Sequence, residues 1–256
     1  MKRVVILIVL ILFAIGFFCS TNITHKETAS SPHLWLDTKK QSSLNHLILG
    51  DSLAKGYGST QGGYAEIASR KLQQQTGKEI LTDNIAVNGL TTDSLLRMLQ
   101  GQDVQEKIKK ADIITISIGG NNLLRLNRNM GVLEGLQALN DEKGKYKKNL
   151  EEILTLIRQL NPSAMIVMSE LYNPLKLEDS LSSYASIFLD GWNKTVHALA
   201  EEHEPAIVLP IRKLLPNDAH DLFYDKVHPN DKGYEKMADH FVEQIISYRV
   251  QPSSAK

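Results

Sequence analysis

Short apolar runs rich in β-branched residues alternate along this chain with stretches of helical periodicity, and no other feature restricts the fold as much. The runs are Leu47-Ile48-Leu49, residues 80–87, Ile113-Ile114-Thr115-Ile116-Ser117-Ile118, Met165-Ile166-Val167-Met168 and Ile207-Val208-Leu209. Between them, residues 64–75 put Ile67, Ala68 and Leu72 on one side. Residues 146–160 put Leu150, Ile153, Leu154, Ile157 and Leu160 at helical spacing and stop at Asn161-Pro162. Residues 183–202 form a further helical stretch, and residues 231–248 carry Tyr234, Met237, Phe241 and Ile245 on one face. Strands that alternate with helices predict βαβ crossovers and a parallel sheet covered on both sides. Nearly continuous apolar strands are what such a sheet requires. The expected fold class is α/β, a three-layer α/β/α sandwich around a central, mostly parallel sheet of about five strands.

The N-terminus breaks this rhythm. Met1-Lys2-Arg3 is a short basic start, and an uncharged apolar run follows over residues 4–18. That run is short for a membrane span of roughly 20 residues and fits the apolar region of an export signal. Cys19, the single cysteine of the chain, comes directly after it. Three readings of Cys19 stand side by side: a lipid-modified cysteine, part of a short uncleaved anchor, or one more apolar residue. Each leaves Lys2 and Arg3 inside and the rest exported, secreted or anchored at the cell surface. Residues 20–45 are rich in Ser, Thr, Lys and Asn, with Trp35 and Leu36 as the bulky interruption, and are expected to be a polar spacer. The expected organisation is therefore a signal or anchor at 1–19, the spacer at 20–45, one domain at 46–250 and a tail at 251–256.

Charge and cysteine content exclude several functions. Lysine plus arginine number 29 and aspartate plus glutamate 29, so no overall field attracts nucleic acid. The basic clusters at 107–110 and 143–148 lie in helical stretches and are expected to be solvated faces. One cysteine permits neither an internal disulfide framework nor a cysteine-based zinc site.

In open parallel sheets, ligands bind beyond the carboxyl ends of the strands. Three predicted strands end there in glycine plus polar residues: Gly50-Asp51-Ser52, Asn88-Gly89 and Gly119-Gly120-Asn121. A dinucleotide site is disfavoured, because Gly50-Asp51-Ser52-Leu53-Ala54-Lys55 sets an acid and a leucine where glycines would be needed. Hydrolysis at a carbonyl fits better. A serine hydroxyl needs a base, histidine titrates near neutrality, and a carboxylate selects its tautomer. Asp225-Lys226-Val227-His228-Pro229 offers the last two in one segment, which the proline biases toward a loop.

These blocks carry a resemblance. The chain is similar to the GDSL, or SGNH, hydrolases, and Gly50-Asp51-Ser52-Leu53-Ala54-Lys55-Gly56-Tyr57-Gly58 looks like their bacterial acyl-esterase and lysophospholipase branch. Gly50-Asp51-Ser52-Leu53, Asn88-Gly89, Gly119-Gly120-Asn121 and Asp225-x-x-His228-Pro229 appear in the family's order. The resemblance implies Ser52 as nucleophile, His228 as base and Asp225 as its orienting partner. It implies an oxyanion hole from the backbone N–H groups of Ser52 and Gly89 and the amide of Asn121. A side chain at 89 is expected to crowd that N–H. The third block usually reads G-x-N-D, whereas Asn122 stands here in place of the aspartate. The implied activity is hydrolysis of carboxylic esters or thioesters, including lipid and lysolipid acyl esters, with no metal or organic cofactor. The expected partners are the acyl-ester substrate and, through the N-terminal segment, a membrane, but no nucleic acid. Leu123, Leu124, Leu126, Met130, Leu175 and Leu177, in loops expected at 123–141 and 172–186, are candidates for an acyl pocket or for core beneath the loops. Two alternatives remain: an O-acetyl esterase of wall polysaccharide, or a non-catalytic binding module on the same fold.

Overall fold

The computed structural model describes residues 33–126, 132–172, 179–216 and 218–250. The expectations for residues 1–32 and 251–256, and for Met130, Leu175 and Leu177, lie outside the described residues. Among the described residues, no helix is long and apolar enough to cross a membrane.

Five parallel strands form the central sheet: β1 (Ser43–Gly50), β2 (Glu79–Asn84), β3 (Ile113–Ser117), β4 (Met165–Ser169) and β5 (Ala206–Leu209). Their order across the sheet is β2-β1-β3-β4-β5. Every residue of β3 and β4 is buried, which is why those runs are apolar without alternation. At the edge, β2 buries only Ile80 and leaves Leu81 exposed.

Helices cover both faces. On one side α1 (Ser52–Lys55), α2 (Tyr64–Thr76) and α8 (Asp231–Ser247) enclose a core with Ile48, Tyr64, Leu72, Tyr234, Phe241 and Ile245. On the other, α3 (Thr92–Met98), α4 (Gln102–Lys110), α6 (Val132–Leu160) and α7 (Asp179–Glu202) bury Leu47, Ile116, Leu150, Ile153, Trp192 and Val196. Between β3 and α6 lies the short α5 (Gly120–Leu124). The sandwich is the one the alternation predicts.

Two boundaries differ from expectation. The compact unit spans Leu34–Val250, so the end of the expected spacer belongs to the fold. Trp35 is only 2% exposed, and its backbone N–H donates to the Tyr248 carbonyl at 2.9 Å. Its large apolar ring gains more from the core than a spacer position could give. Second, α6 begins at Val132, so much of the loop expected at 123–141 is helical.

Chain order creates the crevice. From β1 the chain steps outward to β2, and it then crosses to the other side of β1 to form β3. The carboxyl ends of β1 and β3 therefore flank a topological switch point, where ligands enter sheets of this kind.

Candidate active site

Gly50 closes β1 with a φ of +129°, and a Cβ there would lie 2.0 Å from the Ser117 carbonyl oxygen. Glycine lets the ends of β1 and β3 meet, and the Asp51 N–H then donates to Ser117 O at 2.9 Å. The Asp51 side chain turns inward and accepts from the Leu53 N–H at 3.1 Å, capping α1. Asp51 is thus a turn residue, as its position suggests, and burial pushes its carboxyl up to about 7. This geometry sets Ser52 at the first position of α1, above the strand ends.

The imidazole arrives from the other end of the chain. Phe223 and Pro229 bridge in antiparallel fashion, and the Tyr224 N–H donates to His228 O at 2.8 Å. Inside this turn the Asp225 carboxylate accepts from the N–H groups of Val227 and His228, both at 2.7 Å. Asn230 then starts α8, accepting from the N–H groups of Lys232 and Gly233.

His228 Nδ1 lies 2.9 Å from Asp225 Oδ2, and its Nε2 lies 2.9 Å from Ser52 Oγ. An ionised carboxylate only accepts, so Nδ1 carries the proton and Nε2 offers a lone pair to the Ser52 hydroxyl. Partial burial opposes the charge on Asp225. Hydrogen bonds from the His228 ring and from the N–H groups of His228 and Val227 outweigh it, so the carboxyl lies below its usual range. Tyr57 packs its ring 4.6 Å from that of His228, and its carbonyl accepts from Tyr234 Oη at 2.9 Å.

Ser52, Gly89, Asn121 and His228 all line one cavity of about 480 Å³. Gly89 has a φ of +76°, but a Cβ there would meet nothing nearer than Arg125 Nη2 at 4.0 Å. No protein atom limits the space there, and the left-handed backbone conformation by itself calls for glycine. Asn121 Nδ2 donates to the Leu90 carbonyl at 3.0 Å, leaving its second N–H for the cavity. Among the described residues, no group of three or more His, Cys, Asp or Glu side chains is arranged to hold a metal ion.

The cavity's remaining walls are mostly apolar. Leu123 and Leu124 line it as the sequence suggests, and Leu126 is not among its walls. Tyr57, Leu139, Leu171, Tyr172, Phe188, Leu189 and Val227 line it without having been singled out. Tyr57, next to the first block, and Val227, next to His228, carried a signal in their neighbours. The others come from helices and strand ends, where an apolar residue reads as core.

The sequence model of the GDSL-like Lipase/Acylhydrolase family matches residues 48–236. The chain belongs to this family. As a GDSL hydrolase it is an ester-hydrolysing enzyme, and the matched region runs from β1 into α8, through all four blocks. Among curated proteins it is 28% identical to the uncharacterized protein YpmR of Bacillus subtilis over 232 residues, covering 89% of this chain and 90% of that one. It is 27% identical to the spore germination lipase LipC of Bacillus licheniformis over 206 residues, or 77% of this chain and 94% of the relative. The crystal structure of the lipase Lip_vut3 from a goat rumen metagenome superposes with a TM-score of 0.70 at 27% identity, covering 79% of this chain and 98% of that one.

Proposed function

We propose that this GDSL hydrolase is a serine esterase that cleaves carboxylic esters or thioesters through an acyl-enzyme, with medium-length acyl groups as its preferred substrates. The observation that carries the reading is the continuous relay from Asp225 through His228 to Ser52, with both links at 2.9 Å. In the first half-reaction Ser52 Oγ attacks the acyl carbonyl while His228 Nε2 takes its proton. The charge on the carbonyl oxygen is met by the N–H groups of Ser52 and Gly89 and the Asn121 amide. His228 then protonates the departing alcohol or thiol. In the second half-reaction water, deprotonated by His228, releases the acid and restores Ser52.

The apolar walls support an acyl chain as the occupant. Each methylene taken from water contributes about 0.8 kcal/mol, or roughly fourfold in kcat/KM while the cavity accepts it. The sequence of residues 1–19 supports action outside the membrane, on lipid, lysolipid or other acyl esters.

A chain-length series of p-nitrophenyl esters, read on the full-length protein with Ser52→Ala beside it, tests the reading. The expected kcat/KM rises from acetyl to hexanoyl and falls by at least about 10³ in the variant. Equal background hydrolysis by both proteins would remove the enzyme mechanism. Activity confined to acetyl esters would move the substrate to O-acetyl groups.

A further inference from the structure

Asn122 occupies the position where the family pattern has aspartate, and its amide is fully partnered. Its side chain is buried, at 4% exposure, and each polar hydrogen and acceptor of the amide has a partner. Oδ1 accepts from the Thr92 N–H at 3.1 Å. Nδ2 donates to Thr92 Oγ1 at 3.1 Å and to Glu142 Oε1 at 2.8 Å. A backbone N–H can only donate and a carboxylate can only accept, so both ends fix the amide in one orientation.

The joined segments carry two of the three oxyanion donors. Gly89 lies three residues before Thr92, and Asn121 immediately precedes Asn122. The Asn121 amide bonds the Leu90 carbonyl within the same strap. From the far side α6 supports the joint twice: Glu142 holds the Asn122 amide, and Asn149 Nδ2 donates to Thr92 Oγ1 at 3.1 Å.

We propose that Glu142 is a positioning residue for the oxyanion hole, and that Asn122 and Glu142 form a matched pair in which the carboxylate has moved from the strand-end turn to the helix. An aspartate at 122 could still accept from Thr92. Its other oxygen would then face Glu142 Oε1 at the distance the amide now spans, and two carboxylates that close cannot both remain ionised without moving apart. Each residue therefore determines which partner the other can have.

The inference rests on Gly89 and Asn121 acting as oxyanion donors, so its test is read against Ser52-dependent hydrolysis of p-nitrophenyl hexanoate. Asn122→Asp is expected to lower kcat by about tenfold or more with KM within about twofold, because displaced oxyanion donors weaken the transition state more than the ground state. Glu142→Gln in that background supplies an amide to the new carboxylate, and the double variant is expected to regain most of the lost kcat. Glu142→Ala alone removes the acceptor at a partly exposed helical site and is expected to lower kcat in the same manner; it serves if Asn122→Asp does not fold by circular dichroism. Wild-type kcat in Asn122→Asp or in Glu142→Ala, or a double variant no better than Asn122→Asp, would overturn the pairing while leaving the Ser52 mechanism intact. Absence of Ser52-dependent hydrolysis in the wild type would instead remove the mechanism beneath it.

Discussion

A carboxyl sealed beneath the strand ends gives this enzyme a pH dependence of stability with a definite sign. Burial raises Asp51 from 3.8 to about 7 in the folded chain. Below pH 4 both states hold the proton, and above about 7 both have lost it. Between these limits the folded state binds the extra proton, so stability falls as pH rises, by a total on the order of 4 kcal/mol. Asp51→Asn keeps an oxygen for the Leu53 N–H and cannot ionise. Its melting temperature, relative to wild type, is expected to rise from pH 4 to pH 7 and then level off. Asp225 shifts in the opposite direction but is common to both proteins, so it cancels in the difference. A difference that stays constant or shrinks over that range would show that Asp51 ionises freely inside the fold. At this scale the sequence was most legible for Asp225 and His228, which share one short segment, and for Ser52 through the block that carries the family resemblance; the fold brings the three within hydrogen-bonding reach. It was silent on Glu142, a charged residue in a charged helix, whose partner lies 20 positions away.

The elements were legible where their packing is one-sided and strong. Residues 146–160 announced a helix because Leu150, Ile153, Leu154 and Ile157 all reach the core. The helical residues before Tyr146, from Val132 on, did not, since Gly135, Asn140 and Gly144 lower helix propensity and Leu133 and Leu136 remain exposed. The strand expected at 80–87 ends at Asn84, yet the N–H groups of Ile85 and Val87 still donate to Ile48 and Gly50 of β1. Nothing in the periodicity revealed the fastening at the amino ends of β4 and β5. There the Arg158 guanidinium of α6 donates to the carbonyls of His203, Pro205, Ala164 and Asn161, tying the helix to the loops that start both strands. Arg158→Ala is expected to lower stability by roughly 3 kcal/mol, because partly buried carbonyls lose charged donors. Esterase kcat measured well below the melting temperature should stay close to wild type, since this fastening lies at the end of the sheet opposite Ser52. Chemical denaturation checks the first statement, and a large fall in kcat at low temperature would contradict the second.

At the scale of the whole molecule, the cavity beside Ser52 was the least legible feature because distant segments make it together. Leu123 and Leu124 follow β3, Leu171 and Tyr172 follow β4, Leu139 comes from α6, and Phe188 and Leu189 come from α7. No local pattern separates such residues from core. Leu139 is the informative wall, because it lies on the part of α6 that precedes the core-packing residues. An indole at this position would occupy space otherwise open to an acyl chain, while Ser52, Gly89, Asn121 and His228 stay in place. Leu139→Trp is therefore expected to lower kcat/KM for octanoyl esters at least about tenfold relative to acetyl esters. Losing contact with two to three methylenes at about 0.8 kcal/mol each is sufficient for that ratio. The steady-state ratio of the two substrates in wild type and variant measures it directly. If the ratio does not change, the acyl group runs along a different wall, and Phe188 or Leu171 becomes the residue to enlarge. If both substrates lose activity equally, the substitution has disturbed the catalytic turn rather than the cavity, and the melting temperature should fall with it.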